Sequence, residues 1–294
     1  MYTYSIIVPH HNIPHLLQRC LDSIPDKPEI QIIVVDDNSS PDIVDFSNFS
    51  GNNRNNIEII LDKSGKGAGH ARNVGLTKAL GKWLIFADAD DFFSKEMFNI
   101  IQKYEDSKAE YILFKASSVD SDTLTPSDRH HSLNQSIDSV IEGNLSAKEA
   151  SLEMPTPWCR MIRRELVEKY NILFDEVMAS NDVMFITKAT CFAKDVVVSK
   201  DVLYVVTTRK GSLWNNSSKD LQNYLCRLRV YIRRNHFYSM YPFRKSIIMA
   251  YIFDARKFGF KGIWESFKLV CSERALFSGF SEVWPLIKNK MKKS

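Results

Sequence analysis

Paired cysteines, long apolar runs and compositional bias are all missing from this 294-residue chain. Its five cysteines, at 20, 159, 191, 226 and 271, are odd in number, widely spread and without a C-x-x-C pair. That argues against a disulfide framework or a structural zinc site and fits a reducing compartment. No apolar stretch approaches the ~18–20 residues of a spanning helix; the longest toward the C-terminus covers only 247–253. The opening MYTYSIIVPHHN lacks the basic start, apolar core and small-residue cleavage site of a secretory signal, so a cytoplasmic protein is expected. With 11 Gly and 10 Pro, 44% hydrophobic and 25% charged residues, the chain is not collagen-like, low-complexity or disordered. No solenoid repeat is visible. The length suits one large domain plus an appendage, or two domains.

The net charge of +4 hides a division. Residues 219–294 hold 16 Lys and Arg against 5 Asp and Glu, whereas the rest of the chain is net acidic. One end is suited to an anionic surface and the remainder is not.

Short apolar runs at 4–8, 31–35, 57–61, 83–87 and 111–114 read as strands buried on both faces of a parallel sheet. Helical spacing between them, at 15–24, 71–80 and 95–104, predicts an α/β layered domain with right-handed crossovers. The polar, Ser/Asp/His-rich stretch 120–143 reads as a long excursion, with His130 and His131 facing solvent. Helices are expected at 147–153, 164–170 and 183–192, then a closing pair of strands at 196–198 and 202–207. The turn-rich 210–219 marks a boundary, and 221–237, 243–258 and 263–277 read as helices carrying both basic and aromatic residues.

Two acidic clusters sit where strands end. The second strand runs into Asp36-Asp37-Asn38-Ser39 and the fourth into Asp88-Ala89-Asp90-Asp91. In one parallel sheet both clusters reach the same edge, the crevice where open α/β sheets bind ligands. Turn and helix-cap residues are the plainer alternative. Convergent carboxylates repel, and burying them unpaired is costly, so a cation must compensate. Asp88 and Asp90 can present oxygens to one hard cation, Mg2+ or Mn2+, leaving positions for phosphate oxygens. The glycines of KSGKGAG (63–69) permit close backbone approach of an anion to a helix start, although the segment fits neither a P-loop nor G-x-G-x-x-G.

In order and spacing, SIIVPHHN (5–12), IIVVDDNSSP (32–41), GHARNVG (69–75) and LIFADADD (84–91) resemble the nucleotide-sugar-binding half of the family 2 glycosyltransferases, inverting enzymes of the GT-A fold. The resemblance is close over about the first 100 residues and looser to about Ser212. It implies a Rossmann-like, mostly parallel central sheet flanked by helices, with a C-terminal helical appendage. The catalytic domain would cover 1–218, with 1–115 the donor half and 145–218 the acceptor and base half, followed by a basic aromatic region at 219–294. By position, Asp36 would bond the nucleotide base, usually uracil, with Pro9 nearby. Arg72 would meet the base or diphosphate. Asp88 and Asp90 would form the D-x-D that holds Mn2+ or Mg2+. Asp91 would follow on the acceptor side. Ser180-Asn181-Asp182 resembles the family's E-D region, making Asp182 the general base and placing Asn181, toward the acceptor, where Glu is commoner. A helix-start carboxylate is the alternative for Asp182. Trp158, with Arg163-Arg164 beyond it, resembles the W-x-K-x-x-R-R segment before the acceptor site, and Arg160 stands in for the Lys. Arg209 and Ser212 occupy the place of R-x-x-S, where Arg209 could meet the departing diphosphate. His10 and His11 replace a commoner pair and are expected to pack under the base.

The implied reaction is transfer of a sugar, of hexosyl type, from a nucleotide sugar, expected to be a UDP-sugar, to a hydroxyl of a saccharide acceptor in surface-polysaccharide synthesis. One base and one displacement invert the anomeric centre. The basic tail suits an anionic membrane surface, which would bring a lipid-linked acceptor within reach on the inner face. Packing of its aromatic residues on the catalytic domain is the alternative. No nucleic-acid signature is present. A sugar nucleotidyltransferase would carry a triphosphate-binding loop at the first strand's exit, which here reads Pro9-His10-His11-Asn12; a non-catalytic nucleotide-sugar-binding protein would not need Asp88, Asp90 and Asp182 together.

Overall fold

The computed structural model describes residues 2–47, 49, 51, 54–209 and 220–279. The turn-rich 210–219, with Ser212, and Trp284 lie outside them. Among the described residues an eight-stranded sheet runs in the order β3-β2-β1-β4-β7-β6-β8-β5. Its strands are β1 (Tyr4–His10), β2 (Ile30–Asp37), β3 (Ile57–Asp62), β4 (Trp83–Phe86), β5 (Phe92–Phe93), β6 (Tyr111–Asp120), β7 (Arg160–Arg163) and β8 (Val196–Thr208). β1, β2 and β4 are buried along their whole length, the consequence of unbroken Ile/Val/Leu runs covered by helices on both faces. β1 pairs in parallel with β2 on one side and β4 on the other, and β3 extends the parallel set. Helices α1 (Pro14–Asp22), α2 (Ala68–Lys78) and α3 (Met97–Gln102) make the crossovers. α1 is amphipathic, burying Leu16, Leu17, Cys20 and Leu21.

α2 is hardly amphipathic and approaches the sheet by small size instead. It buries Gly69, Ala71 and Gly75, and a Cβ on Gly75 would stand 2.5 Å from Ile7 Cγ2. Gly81, entering β4, is tighter still, because its Cβ would meet the backbone of Tyr4 and Ser5 at 2.5 Å.

Three elements differ from the sequence expectation. β7, for which no strand was expected, inserts antiparallel between β4 and β6 in the otherwise mostly parallel sheet. Only Met161 and Ile162 in RMIR are apolar, too short a run to show a strand. The expected strand pair at 196–198 and 202–207 is a single strand, β8, whose extra residues around Ser199–Val202 are absorbed as bulges against β6. The polar stretch 120–143 is ordered: β6 extends to Asp120, and α4 (His131–Ile141) buries Leu133, Ser136 and Ile137. Its 133/137/140/141 spacing is helical, diluted by Ser, Asn and Gln. α5 (Ala147–Glu153), started by a Ser146/Glu149 capping box, α6 (Arg164–Lys169) and α7 (Val183–Phe192) complete the coverage.

The chain forms two compact units, one of 1–176 and 185–209, the other of 177–184 with the residues beyond Arg209. In the second unit α8 (Leu221–Phe237), α9 (Ile248–Asp254) and α10 (Gly259–Ser272) enclose Leu228, Ile232, Ile248, Leu269 and Val270. α9 is shorter than the expected 243–258 and continues as a 3-10 turn at Ala255–Phe258. None of the five cysteines forms a disulfide, and no described helix is long and apolar enough to cross a membrane.

Gly81→Ala should cost about 1–3 kcal/mol, because backbone rather than a movable side chain meets the added methyl. Urea unfolding that leaves the midpoint unchanged would contradict this packing.

Candidate active site

Parallel pairing decides where the acids go. His10 of β1 is level with Asp36 of β2, and Ile7 of β1 with Phe86 of β4, so both acidic clusters leave the sheet at the same edge on either side of β1. Hydrogen bonds tie the β1 and β2 exits together. His11 Nδ1 donates to the Asp37 carbonyl at 2.7 Å, and Asn12 N–H donates to Ser39 Oγ at 2.8 Å. Asn12 Oδ1 accepts from Ser40 N–H at 2.8 Å.

Asp36 is buried, its side chain 2% exposed. Its carboxylate accepts from His10 Nδ1 at 2.8 Å, Ser39 N–H at 3.0 Å and Ser39 Oγ at 2.5 Å. His10 Nε2 accepts the Ile13 N–H at 3.1 Å, which puts the imidazole proton on Nδ1, facing Asp36. Burial pushes the Asp36 carboxyl up, but the bonds from His10 and Ser39 outweigh it and hold the group below the usual carboxylate range. His10 therefore aims and ionises Asp36, a role its residue type alone does not reveal. Pro9 is buried beside it in β1. Asp37 Oδ2 accepts the Gly67 N–H at 2.9 Å, so the glycine-rich loop, with Gly67 at φ 89°, docks on the end of β2. That N–H, expected to be offered to an anion, is already bonded to a carboxylate of the chain.

Asp88, Asp90 and Asp91 bring carboxylate oxygens within 4.8 Å of one another. At such separations and an effective dielectric near 20, each pair of full charges repels by roughly 3–4 kcal/mol. Burial and the neighbouring Asp88 charge raise the Asp90 carboxyl, against the pull of Arg209 and Arg129. Burial raises Asp91 further, helped by Asp90 and Asp88. Arginines from four parts of the chain surround the cluster. Arg72 on α2 pairs with Asp88 at 2.6 Å, and Arg209, after β8, lies 3.5 Å from Asp90. Arg129 donates to the Thr207 carbonyl, and Arg19 on α1 donates to the Asp90 carbonyl at 2.6 Å. Arg19 and Arg129 escaped the sequence reading: one sits on an amphipathic helix, the other in the stretch taken for an excursion. The Asp88 N–H is received by the hydroxyl of buried Tyr204 at 2.8 Å, and Thr207 Oγ1 donates to the Asp90 carbonyl at 2.9 Å. β8 is thus the second wall of the site.

The donor set suits a hard divalent cation: all-oxygen, clustered, with Asp91 Oδ2 buried and lacking a hydrogen-bond partner. Asp91 contributes little outward, since it is 1% exposed and its Oδ1 accepts the Thr207 N–H at 2.6 Å. The acceptor-side role expected of it thus falls on a carboxylate buried within the cluster. Trp158, also expected on the acceptor side, is 2% exposed and stacks on Tyr204 with ring centroids 6.1 Å apart. Arg160 is fully buried and donates to the carbonyls of Ser151, Met154 and Trp158 and to the Tyr111 hydroxyl, so it staples the 154–158 loop.

The motif residues on α2 also hold the 174–176 segment. Asn73 accepts from Phe174 N–H at 2.8 Å and donates to its carbonyl at 3.0 Å. Phe174 stacks on Phe185 at 3.9 Å and lies 5.3 Å beneath the Arg72 guanidinium. His70 bridges Asp62 at 3.2 Å and Glu176 at 2.8 Å, and its bond keeps the Glu176 carboxyl below the ordinary range. Asn181 and Asp182, just before α7, belong to the second unit.

A mixed sheet whose parallel half delivers an acidic, arginine-flanked cluster to one edge defines a GT-A-type α/β protein. The model for Glycosyl transferase family 2 matches residues 5–171, and the chain belongs to that family. Over 216 residues it is 28% identical to the uncharacterized glycosyltransferase EpsJ of Bacillus subtilis, covering 71% of this chain and 62% of EpsJ. It is 24% identical to the poly(ribitol-phosphate) beta-N-acetylglucosaminyltransferase TarS of Staphylococcus aureus, covering 71% of this chain and 36% of TarS. The chain thus spans less than two thirds of these relatives. In fold it is similar to residues 1–349 of TarS in complex with UDP-GlcNAc, with TM-score 0.60, 18% identity, and 95% and 92% of the two chains covered. It is also similar to the mannosyltransferase PcManGT of Pyrobaculum calidifontis in complex with GDP-Man and Mn2+, with TM-score 0.56, 15% identity, and 100% and 82% covered.

Because the folded-state pKa of Asp36 lies below its unfolded value near 4, its contribution to stability is complete above about pH 4 and is lost as the pH falls through the lower folded value. Urea midpoints measured from pH 7 downward should therefore fall less steeply in Asp36→Asn than in the parent. Parallel acid slopes would show that the carboxylate is not held ionised. Asn73→Ala should destabilise by about 1–3 kcal/mol through the stranded Phe174 backbone groups; a melting curve superimposable on the parent's would refute that anchor.

Proposed function

We propose that the protein transfers a sugar from a nucleotide sugar, a UDP-sugar, to a saccharide hydroxyl with inversion, in surface-polysaccharide synthesis. The observation that carries this reading is the convergence of Asp36, Arg72, Asp88 and Asp90 on one edge of a parallel sheet. In this reading 1–218 is the catalytic region, with the donor in its first half, and 219–294 is the basic appendage.

The nucleotide base lies toward Pro9 and Asp36. Asp36 is pre-ionised by His10 and Ser39, and it retains lone-pair capacity for a ring N–H. The diphosphate lies across Asp88 and Asp90, where Arg72 and Arg209 supply fixed positive charge that strengthens its hold as negative charge develops on the leaving group. Mn2+ or Mg2+ bound by Asp88 and Asp90 would neutralise the departing diphosphate. Tyr204 holds the Asp88 backbone and Thr207, itself bonded to Asp91, holds that of Asp90. Asp182, with Asn181 beside it, takes the proton from the acceptor hydroxyl as the oxygen attacks the anomeric carbon from the face opposite the leaving group. A single displacement inverts that centre, with no covalent intermediate to house. The acceptor is a saccharide, free or, where the chain is held at the inner face of the membrane, lipid-linked.

A nucleotidyltransferase is disfavoured by the β1 exit, where His10, His11 and Asn12 are committed to bonds with the β2 exit instead of forming a triphosphate cradle.

Incubation with Mn2+ and a panel of nucleotide sugars should release nucleoside diphosphate only with an acceptor saccharide present. Release of inorganic pyrophosphate from a sugar phosphate and UTP would sink the reading. Asp90→Ala is expected to abolish Mn2+-dependent UDP binding, and calorimetry showing unchanged affinity would remove it as a ligand. Asp182→Asn should bind UDP like the parent while turnover falls about 10²-fold or more. Turnover near the parent's would take the base role away.

A further inference from the structure

The second unit presents an apolar surface that its own core does not use. Along α10 the buried residues Gly262, Ser266, Leu269 and Val270 face the helical core. Phe260, Ile263, Trp264 and Phe267, spaced i, i+3, i+4 and i+7, make a separate stripe on the outside. They are 81%, 37%, 50% and 39% exposed, an unusual outlay of aromatic surface for one helix. The Trp264 and Phe267 ring centroids lie 6.4 Å apart with their planes at 24°, side by side in the stripe. Met249 and Phe253, one turn apart on α9, are also exposed, and the Arg256 guanidinium lies 4.1 Å over the Phe253 ring.

Charge says what the stripe faces. Lys261 and Lys268 project from α10 along one flank of it, and residues 220–279 hold eleven Lys and Arg against four Asp and Glu. The next turn of the stripe is Cys271, which opens onto a surface cavity lined by His236, Lys245, Arg274 and Phe277. Protein–protein interface centres are depleted in lysine, whereas helices lying in a bilayer interface combine Trp and Phe on one face with lysines that snorkel from its border.

We infer that the α10 stripe is a membrane-docking face that seats Phe260, Trp264 and Phe267 in the interfacial layer of an anionic phospholipid bilayer. Lys261, Lys268, Lys245 and Arg274 meet the lipid phosphates. The helix lies in the plane of the surface; no segment spans the bilayer. The inference uses the second unit alone and stands whether or not the chain transfers a sugar.

The test is flotation of the full chain with vesicles of phosphatidylcholine, with and without phosphatidylglycerol, in the absence of any sugar donor. The chain should float with the anionic vesicles and be released about tenfold by raising salt to about 0.5 M. Phe260→Ser/Trp264→Ser should lose at least about tenfold in binding while keeping the parent's circular dichroism, since both side chains are exposed. Lys261→Glu/Lys268→Glu should lose the preference for anionic lipid. Equal recovery of the chain with neutral and anionic vesicles, or flotation unchanged in both variants, would overturn the inference. So would light scattering that shows a dimer dissolved by Phe260→Ser/Trp264→Ser without any vesicle binding by the parent, because the stripe would then belong to a second copy.

Discussion

Parallel pairing of β1 with both β2 and β4 is the constraint on which the candidate site depends. It brings two acidic strand exits to one edge, and the electrostatic cost of that arrangement shapes much of what surrounds it. Asp36 is met by a hydrogen-bonded imidazole and a serine, which keep it ionised despite burial. Asp88, Asp90 and Asp91 are met by arginines from α1, α2, the segment before α4 and the end of β8, yet Asp90 and Asp91 remain raised. A buried cluster with oxygen donors only is suited to a divalent cation.

The same residues serve as structure and as site. Arg72 neutralises Asp88 while resting on Phe174, and Asn73 beside it clamps the Phe174 backbone. His70, one turn before, links the end of β3 to Glu176. The GHARNVG segment is thus a bracket between the sheet and the 174–176 segment, holding by specific bonds a helix of little amphipathic character. Small residues let it approach β1, and polar ones fasten it there.

Burial redistributes roles along the chain. Trp158, Arg160 and Asp91 carry the residue types of a binding surface, yet all three are buried: Trp158 stacks on Tyr204, Arg160 staples the 154–158 loop and Asp91 accepts the Thr207 N–H. Conversely, His10, Tyr204, Thr207 and Arg129 bear directly on the acidic cluster or on Asp36, although they lie in runs that read as core, strand or polar excursion. Tyr204 and Thr207 show the reason: three apart on β8, they share no strand face, and only their bonds to the Asp88 and Asp90 backbones mark both as site residues.

The sequence by itself determined the α/β class, the parallel β1, β2 and β4 with their acidic exits, the helices between them and the basic aromatic end. These rest on local signals, namely unbroken apolar runs, helical spacing and turn chemistry, which act over a few residues. Only the tertiary structure decided the mixed order of the sheet, the insertion of β7, the arginine ring and the outward stripe on α10. Those depend on which strand edges and helix faces meet across the chain. A four-residue strand with two apolar positions, or an aromatic helix with two apolar sides, has no partner written into its own segment.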